Sequence, residues 1–511
     1  MSIFTKVAMR KPPYSTFDLS HQVKLSCNMG ELIPILVQEC VPGDKFTHQT
    51  AQLVRFAPML APVMHQVSVY THSFFVPNRV LWPNWEDFIN GPESPSDISE
   101  PVFPTITMSG LNVIGSLSDY IGLPQNVDGG SREVSAMPFS AYQYIYNEYF
   151  RDQNLITERL YKLEDGDNAA SKASLTSLRQ RAWQHDYFTS ALPFTQKGPQ
   201  ATIPLGTSAP LTLDETAGNT VFRDSLGAIV AGANTPPNLA NSGILFNGAA
   251  PGQNMYADVT ANTTADLSQA TAASITDLRR AFRLQEWLEK NARAGTRYNE
   301  LILSHFGVSI GDARLDRPEF LGGGSVPIQF SEVLQTSSTD ATTPQANMAG
   351  HGISAGQNSK YSYRCREHGF IITIMSIMPK TSYQQGLPKH FKKFDKFDYY
   401  WPSFAHIGEQ PILNEEIYLA DGDDGDTFGY TPRYAEYKFT NDRVCGEFKA
   451  TLDFWHIGRI FSTRPVLNQA FIECVPDTRI FANEVGEQMY VHIYHQIKAK
   501  RPMPYFGVPT I

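Results

Sequence analysis

The sequence predicts a mainly β protein in which strands from both ends of the chain form one antiparallel sandwich. Segments rich in β-branched and aromatic residues occur near both termini and after residue 360, and polar segments with turn residues separate them. Because these segments lie far apart in the sequence, their pairing must be non-local, as in a Greek-key or jelly-roll sandwich. At about 150 residues per domain, the 511 residues would form several domains, but one sandwich with long insertions accounts for the same length.

Four segments carry the strand pattern most clearly. Residues 31–40 are nearly all apolar, and Pro34 within them predicts an edge strand or a bulge. Residues 65–76 are β-branched and aromatic, and residues 369–378 predict a strand buried on both faces. Residues 489–494 alternate between apolar and polar side chains, which predicts a strand with one apolar face. No run approaches the roughly 20 apolar residues that a membrane-spanning helix needs, so we expect no membrane insertion.

Two helices are predicted between these strands. The aromatic residues between positions 142 and 149 recur at helical spacing. Residues 277–292 carry a second apolar stripe, which follows a capping box formed by Ser274 and Asp277. Both stripes are expected to pack in a core or at an interface.

The polar segment 322–360 predicts a long surface loop. Within it, Gly352–Gly356 matches the G-x-S-x-G pattern of serine hydrolases. That pattern needs a strand before the serine and a helix after it, and neither is predicted there, so we expect a loop and not a nucleophile. The sequence points to no catalytic residue elsewhere, and we expect that the chain is not an enzyme.

Residues 198–275 differ from the rest of the chain in composition. Ala, Thr, Gly and Asn make up 40 of the 78 residues, so one copy can bury little apolar area on its own. A disordered linker and a long excursion that orders against copies of itself both fit this composition. Its scattered apolar residues include Val221, Phe222, Leu226, Ile229, Val230, Ile244, Leu245 and Phe246.

The net charge of −9 excludes a chain that binds nucleic acid through bulk electrostatics. Any DNA contact must therefore be local, or be made by a separate basic partner. Basic residues cluster near both ends of the chain and, as a second choice, in a Lys- and Phe-rich segment at 389–397; solvated charge is the alternative for each cluster. The candidate DNA-facing residues are Lys6, Arg10, Lys11, Lys498, Lys500 and Arg501, followed by Lys392 and Lys393.

Neither the cysteines nor the acidic residues form a known metal motif. Five widely spaced cysteines without a C-x-x-C pair predict buried free thiols in a reducing compartment. An EF-hand is excluded for the DGDDGD loop, because its glycine and glutamate positions hold Asp426 and Pro432. A solvated loop and a loosely bound divalent cation remain as alternatives, and no other cofactor is predicted. The acidic residues of this loop are Asp421, Asp423, Asp424 and Asp426.

Several long strings, in order, resemble the major capsid protein of gokushoviruses, which are small single-stranded DNA phages of the microvirus family. The strings are LVRFAPMLAPVMHQ at 53–66, SFFVPNRVLWPNWEDF at 73–88, YRCREHGFIITIMSIMPKTSYQQGLP at 363–388, FDYYWPSFAHIGEQPILNEEIY at 397–418 and RYAEYKFTNDRVCGEF at 433–448. The likeness covers most of the chain at both ends and is weakest over 198–275.

The resemblance implies a structural protein with one eight-stranded antiparallel jelly roll, whose connecting loops hold most of the residues. The parts 1–197 and 276–511 would share this discontinuous domain. About sixty copies would form a small T=1 icosahedral shell around single-stranded DNA. The insertion 198–275, with the apolar residues named above, would form a protrusion at the threefold axes, which is the usual candidate for host attachment.

The resemblance also implies partners and a location. The implied partners are other copies of the chain, packaged single-stranded DNA, a small basic DNA-binding protein, a minor pilot-type protein and a host-surface receptor, for which a glycan is one candidate. The implied location is the virion capsid, assembled in the cytoplasm of the bacterial host. The alternative function is carbohydrate binding or glycoside hydrolysis by a jelly-roll protein.

Overall fold

The structure is a computed structural model, and it describes most of the chain. The described residues are 13–91, 101–111, 113–124, 132–201, 211–213, 221–224, 255–258, 263–265, 275–336, 347–419, 422 and 424–506. The chain divides into two compact units, Met1–Thr195 with Ala294–Ile511, and Gln196–Arg293.

The strands, in chain order, are β1 Ser15–Asp18, β2 His21–Cys27, β3 Ile33–Cys40, β4 Lys45–Phe56, β5 Val67–Pro77, β6 Thr105–Thr107, β7 Glu133–Ser135, β8 Leu211–Leu213, β9 Val221–Asp224, β10 Met255–Asp258, β11 Thr263–Ala265, β12 Glu319–Pro327, β13 Gln329–Leu334, β14 Met348–Arg364, β15 Gly369–Pro379, β16 Ser382–Tyr383, β17 Glu409–Leu413, β18 Thr427–Pro432, β19 Asp442–Arg443 and β20 Met489–Arg501. The α-helices are α1 Asn78–Leu81, α2 Trp85–Asn90, α3 Leu117–Ile121, α4 Met137–Ile145, α5 Lys172–Leu175, α6 Ile275–Ala294, α7 Tyr298–Phe306, α8 Asn414–Ile417 and α9 Gln469–Ile472.

Two sheets dominate the larger unit, and their strands pair antiparallel throughout. The first sheet has the order β1–β20–β4–β14–β13, and β2 also pairs with β20. The second sheet has the order β12–β5–β15–β3. The first sheet joins the two ends of the chain, because β20 pairs with β4 along 489–500. The prediction of a mainly β protein with antiparallel sheets and non-local pairing is thereby confirmed.

The main core lies between the two sheets. Apolar side chains from β3, β4, β5, β15 and β20 form one buried cluster that spans both sheets. Its members on these strands are Ile33, Ile35, Val54, Phe56, Val67, Val69, Met375, Ile377, Met489, Val491 and Ile493. A second cluster packs α4 onto the other face of β5 and β15, so these two central strands of the second sheet are buried on both faces.

The four strand predictions are confirmed. They correspond to β3, β5, β15 and β20, and β15 is buried on both faces as expected. β3 lies at the edge of the second sheet, and the register of its pairing with β15 shifts beside Pro34, so the proline occupies both an edge and a bulge. The two helix predictions are also confirmed by α6 and by α4, which continues as a π-helical turn over Tyr146–Phe150.

The prediction of a loop over 322–360 is wrong. Apart from 337–346, which lie outside the described residues, this segment forms β12, β13 and β14, and Gly352–Gly356 lies within β14. Small residues are needed here because the strands approach other groups closely. A Cβ at Gly323 would lie 2.7 Å from His72 Cδ2, and one at Gly324 would clash with Asn358. A strand that carries these glycines lacks the apolar alternation by which strands are predicted.

In the smaller unit, β9 pairs with β10 and β8 with β11, all antiparallel. All five cysteines are free thiols, and four are buried, but Cys445 is exposed, which corrects the expectation for that residue. Among the described helices, none is long and apolar enough to cross a membrane.

Candidate nucleic-acid interface and assembly surface

Lys498 and Lys500 lie on the outer face of the first sheet. From Met489 to Lys500, β20 alternates between buried residues, which point into the sandwich, and more exposed residues, which point away from it. His492 and His495 therefore face opposite sides, as their odd spacing predicts, and His495 is fully buried.

A row of three cations crosses this outer face. Lys500 of β20 directly opposes Lys45 of β4, and Lys45 directly opposes Arg364 of β14. Directly opposed residues project from the same face of a sheet, and like charges in that position destabilise it. All three side chains are exposed, and none of them has an ion-pair partner among the residues that the structure describes. The row therefore favours binding of an anion.

Further cations and aromatic rings extend the same face. Arg55 opposes Tyr490, and Lys24 opposes His492. The rings of Tyr490 and Tyr494 are 50% and 41% exposed, so both present a surface on which a base can stack. We call this set the basic face: Lys24, Lys45, Arg55, Arg364, Lys498, Lys500, Tyr490 and Tyr494.

Asp18 is the acidic residue closest in register to this set, because it opposes Lys498. Hydrogen bonds from Ser20 lower the pKa of the Asp18 carboxyl, and the charge of Lys498 adds to this effect. The carboxylate form is therefore favoured, and it compensates part of the charge of Lys498. The row formed by Lys500, Lys45 and Arg364 has no such counterpart in the described part of its strands.

Arg501, also predicted to face DNA, is engaged within the subunit. Its guanidinium donates to the Glu39 carbonyl oxygen at 2.9 Å, and its Nε lies 3.5 Å from Oδ2 of the buried Asp44. It also lies over the ring of Phe46. Arg501 therefore stabilises the packing of β20, and the structure does not bring it together with the exposed lysines.

Lys392 and Lys393, the second-choice candidates, are paired with carboxylates. The Lys393 Nζ lies 3.0 Å from Glu436 Oε1, and its side chain is only 6% exposed. The Lys392 Nζ lies 3.2 Å from Oε2 of the buried Glu415. Since both charges are compensated inside the subunit, these two lysines offer less to a phosphate than the basic face does.

Other predicted site residues lie outside the described residues, or lack described side chains. The first group comprises Lys6, Arg10, Lys11, Leu226, Ile229, Val230, Ile244, Leu245, Phe246, Asp421 and Asp423. Val221 and Phe222 belong to β9, for which only the backbone is described.

The described part of the acidic loop does not form a cation site by itself. The carboxylate of Asp424 accepts a hydrogen bond from Arg464, with which it also forms an ion pair. The backbone carbonyl of Asp426 accepts a hydrogen bond from the Asn414 amide at 2.9 Å. Within the described ranges, no group of three or more His, Cys, Asp or Glu side chains could hold a metal ion.

Sequence reasoning missed Lys24, Lys45, Arg55 and Arg364. Lys24, Lys45 and Arg55 are isolated cations, and Arg364 has only Lys360 and Arg366 near it in the sequence, so the basic clusters singled out from the sequence do not include them. They meet only because β2, β4 and β14 join the sheet that contains β20. The sequence of β4 carries no signal of this placement, because its buried side carries His48, Thr50 and Gln52 and its outer side carries Ala51 and Leu53.

Comparison with known proteins decides the family. A family model described as "Capsid protein (F protein)" matches residues 5–511. The chain belongs to this capsid protein family. The resemblance to gokushovirus major capsid proteins is thereby confirmed, and this capsid protein is a structural virion subunit that assembles into a shell, not an enzyme. These matches favour the structural function over the carbohydrate-active alternative.

Individual relatives match the capsid protein over nearly its full length. It is 37% identical to capsid protein VP1 of Bdellovibrio phage phiMH2K, over 97% of this chain and 95% of that protein. It is 33% identical to capsid protein VP1 of Chlamydia phage 1, over 99% of this chain and 97% of that protein. It is also 33% identical to capsid protein VP1 of Spiroplasma virus 4, over 98% of this chain and 95% of that protein.

Proposed function

We propose that this capsid protein forms a T=1 icosahedral shell around single-stranded DNA, with the basic face turned toward the DNA. The row of Arg364, Lys45 and Lys500 carries this proposal. Three opposed cations without described counterions raise the energy of the free subunit, and bound phosphates would relieve their repulsion. Tyr490 and Tyr494 on the same face add stacking surfaces, the second component of single-strand binding.

The local placement of these cations accounts for how a chain of net charge −9 can enclose DNA. Phosphate contacts act over short distances at physiological ionic strength, because the Debye length there is only about 8 Å. A basic face can therefore attract DNA although the subunit as a whole is acidic. A small basic DNA-binding protein would neutralise further phosphates inside the shell.

We infer that the two sheets form an eight-stranded jelly roll. The strand order supports this: β2–β20–β4–β14 lie side by side in one sheet and β3–β15–β5–β12 in the other. Successive strands of this set alternate between the sheets, except that β5 and β12 are neighbours in the second sheet, as in two interleaved Greek keys. The long insertions then lie in the connections, above all between β5 and β12.

We also propose that residues 198–275 form the threefold protrusion and contact a host receptor, with a surface glycan as one candidate. The support is compositional: abundant Thr and Asn suit weak polar contacts, and the scarcity of apolar residues favours ordering only where three copies meet. A minor pilot-type protein and assembly in the bacterial cytoplasm complete the proposed life cycle.

The DNA assignment is tested by removing the three charges of the row. Particles carrying Lys45→Gln, Arg364→Gln and Lys500→Gln should assemble but lose DNA at lower salt than the wild type. Each lost single-strand phosphate contact lowers the slope of log affinity against log salt by about 0.7. The matched control is Arg132→Gln, Lys162→Gln and Lys449→Gln, which removes three exposed charges outside the first sheet.

DNA retention is measured by sedimentation of full particles at increasing salt. Loss of DNA from the row variant, with retention in the control, is the expected result. Equal retention in both would refute the assignment. Ultraviolet cross-linking of wild-type particles gives a readout that does not depend on the variants folding, because DNA should attach to peptides containing Tyr490 or Tyr494.

A further inference from the structure

A second exposed surface of the larger unit is dominated by aromatic side chains. Within residues 391–407 and 437–439, nine large apolar side chains are between 49% and 84% exposed. We call this set the aromatic surface: Phe391, Phe394, Phe397, Tyr399, Tyr400, Trp401, Ile407, Tyr437 and Phe439. Exposed apolar patches of this kind mark sites of association.

Hydrogen bonds hold the central part of the aromatic surface in place. The Tyr400 amide donates to the Tyr437 hydroxyl, and the Trp401 amide donates to the Tyr434 hydroxyl, both at 3.3 Å. The Trp401 indole Nε1 donates to the Lys396 carbonyl oxygen at 2.8 Å. These rings are therefore ordered before a partner binds, which lowers the entropy cost of association.

The charges beneath the aromatic surface are compensated. Lys392 and Lys393 pair with Glu415 and Glu436, as described above, and the Lys389 Nζ lies 3.4 Å from Glu416 Oε1. A surface that stacks DNA bases also needs cations for the phosphates, and these three are already paired. Lys396 and Lys438 are exposed without a described ion pair, but the exposed carboxylates of Asp395 and Asp398 in the same segment offset their charge. Aromatic enrichment with little net charge is instead the composition of protein interface cores.

The extent of the surface matches what a stable interface needs. An aromatic side chain presents about 200 Å²; at roughly half exposure, the eight aromatic side chains and Ile407 together present on the order of 1,000 Å². A standard interface buries about 800 Å² per partner. One partner of ordinary size would therefore cover this surface.

We propose that the aromatic surface is a contact between neighbouring copies of this chain in the shell. The proposal rests on the capsid function, since a shell subunit must bury such area against other copies. A near-neutral aromatic surface suits another protein surface better than DNA, and its area matches that of a subunit contact. The residues that carry the contact are centred on Phe394 and Trp401, which are 84% and 50% exposed.

Photo-cross-linking tests this directly in assembled particles. Phe394 is replaced by p-benzoylphenylalanine, which keeps an aromatic side chain, and purified full particles are irradiated. We expect a band at twice the subunit mass, with the adduct mapped to a second copy. An adduct to DNA, an adduct within the same chain, or no adduct would each overturn the proposal. Val485, which is 83% exposed and lies outside the aromatic surface, provides the control site for the same replacement.

A substitution experiment separates this proposal from the DNA assignment. Phe394→Ser with Trp401→Ser should reduce the fraction of subunits in shells at least tenfold, while soluble subunits keep the wild-type circular dichroism spectrum. Val485→Ser should assemble normally. If the double variant assembles as the wild type does, the proposal fails, whatever the row variant shows. If instead the double variant forms shells that lose DNA, the aromatic surface binds DNA and the proposed subunit contact is refuted.

Discussion

His48 and His495 contact each other inside the sandwich. The His495 Nε2 lies 3.0 Å from the Ile35 carbonyl oxygen, which can only accept, so this nitrogen carries the proton. The His495 Nδ1 is then an acceptor for the His48 Nε2 at 3.0 Å, which leaves the buried Nδ1 of His48 without a described partner. Both rings are therefore neutral. A proton added to the His48 Nδ1 would have no described hydrogen-bond acceptor.

Burial lowers the pKa of His48 to about 3 and that of His495 to about 4, and repulsion from neighbouring histidines adds to both shifts. In the unfolded chain the pKa of each histidine is about 6.5. At pH values between the folded and the unfolded pKa, the unfolded state binds more protons than the folded state. The free energy of unfolding therefore decreases as the pH falls below about 6.5. The loss amounts to at most about 1.4 kcal/mol per pH unit for each histidine.

We predict that His495→Gln weakens this pH dependence. Urea unfolding of the subunit at pH 7 and pH 5 should show a smaller loss of stability in the variant than in the wild type, because one depressed pKa is removed. His492→Gln, on the outer face of the same strand, should retain the wild-type loss. Identical pH dependence in His495→Gln and the wild type would show that the buried pair does not set acid stability.

Helix α4 is anchored to the second sheet by one buried tyrosine. The Tyr142 hydroxyl donates to the Leu32 carbonyl oxygen at 2.9 Å and accepts from the Arg179 amide at 3.0 Å. Its side chain is fully buried in the cluster that covers β5 and β15. The hydroxyl therefore connects the insertion to the segment that precedes β3.

We predict that Tyr142→Phe destabilises the subunit by about 1–3 kcal/mol, because it leaves the buried Leu32 carbonyl and the part-buried Arg179 amide unpaired. Tyr490→Phe removes an exposed hydroxyl and should leave the free energy of unfolding unchanged. Denaturant midpoints of the two variants provide the measurement. Equal midpoints would mean that water or another group replaces the lost hydroxyl.

Sequence patterns predicted the strands that are apolar and missed those that are not. β3, β5, β15 and β20 carry runs that a strand buries, whereas β12 and β14 are built around glycines and polar residues. The basic face was predicted only at Lys498 and Lys500, because the pairing of β20 with β4 depends on tertiary contacts. The register that places Lys45 beside Lys500 leaves no local trace in either segment.

If residues 198–275 form the protrusion, a deletion there should abolish infection without preventing shell formation. Deleting residues 205–265 and closing the gap with a short Gly/Ser linker should leave particles that assemble and contain DNA, since a segment rich in Ala, Thr, Gly and Asn has little apolar area to bury. The same particles should not infect, because the host contact is lost. Normal infection by these particles, or a location of the segment inside the shell, would contradict the proposal.

At the scale of the whole molecule, two surfaces of the larger unit differ in chemistry. The basic face of the first sheet carries cations without described counterions, whereas the lysines beneath the aromatic surface are paired with carboxylates. The first surface suits a polyanion and the second suits another subunit. This division assigns DNA and assembly to separate parts of one acidic chain.

A reconstruction of the full particle by electron cryo-microscopy tests this division most directly. We predict that the outer face of the first sheet lines the interior of the shell in every copy, with nucleic-acid density against Lys45, Arg364 and Lys500. A reconstruction in which that face points outward, or is covered by a neighbouring subunit, would contradict the account.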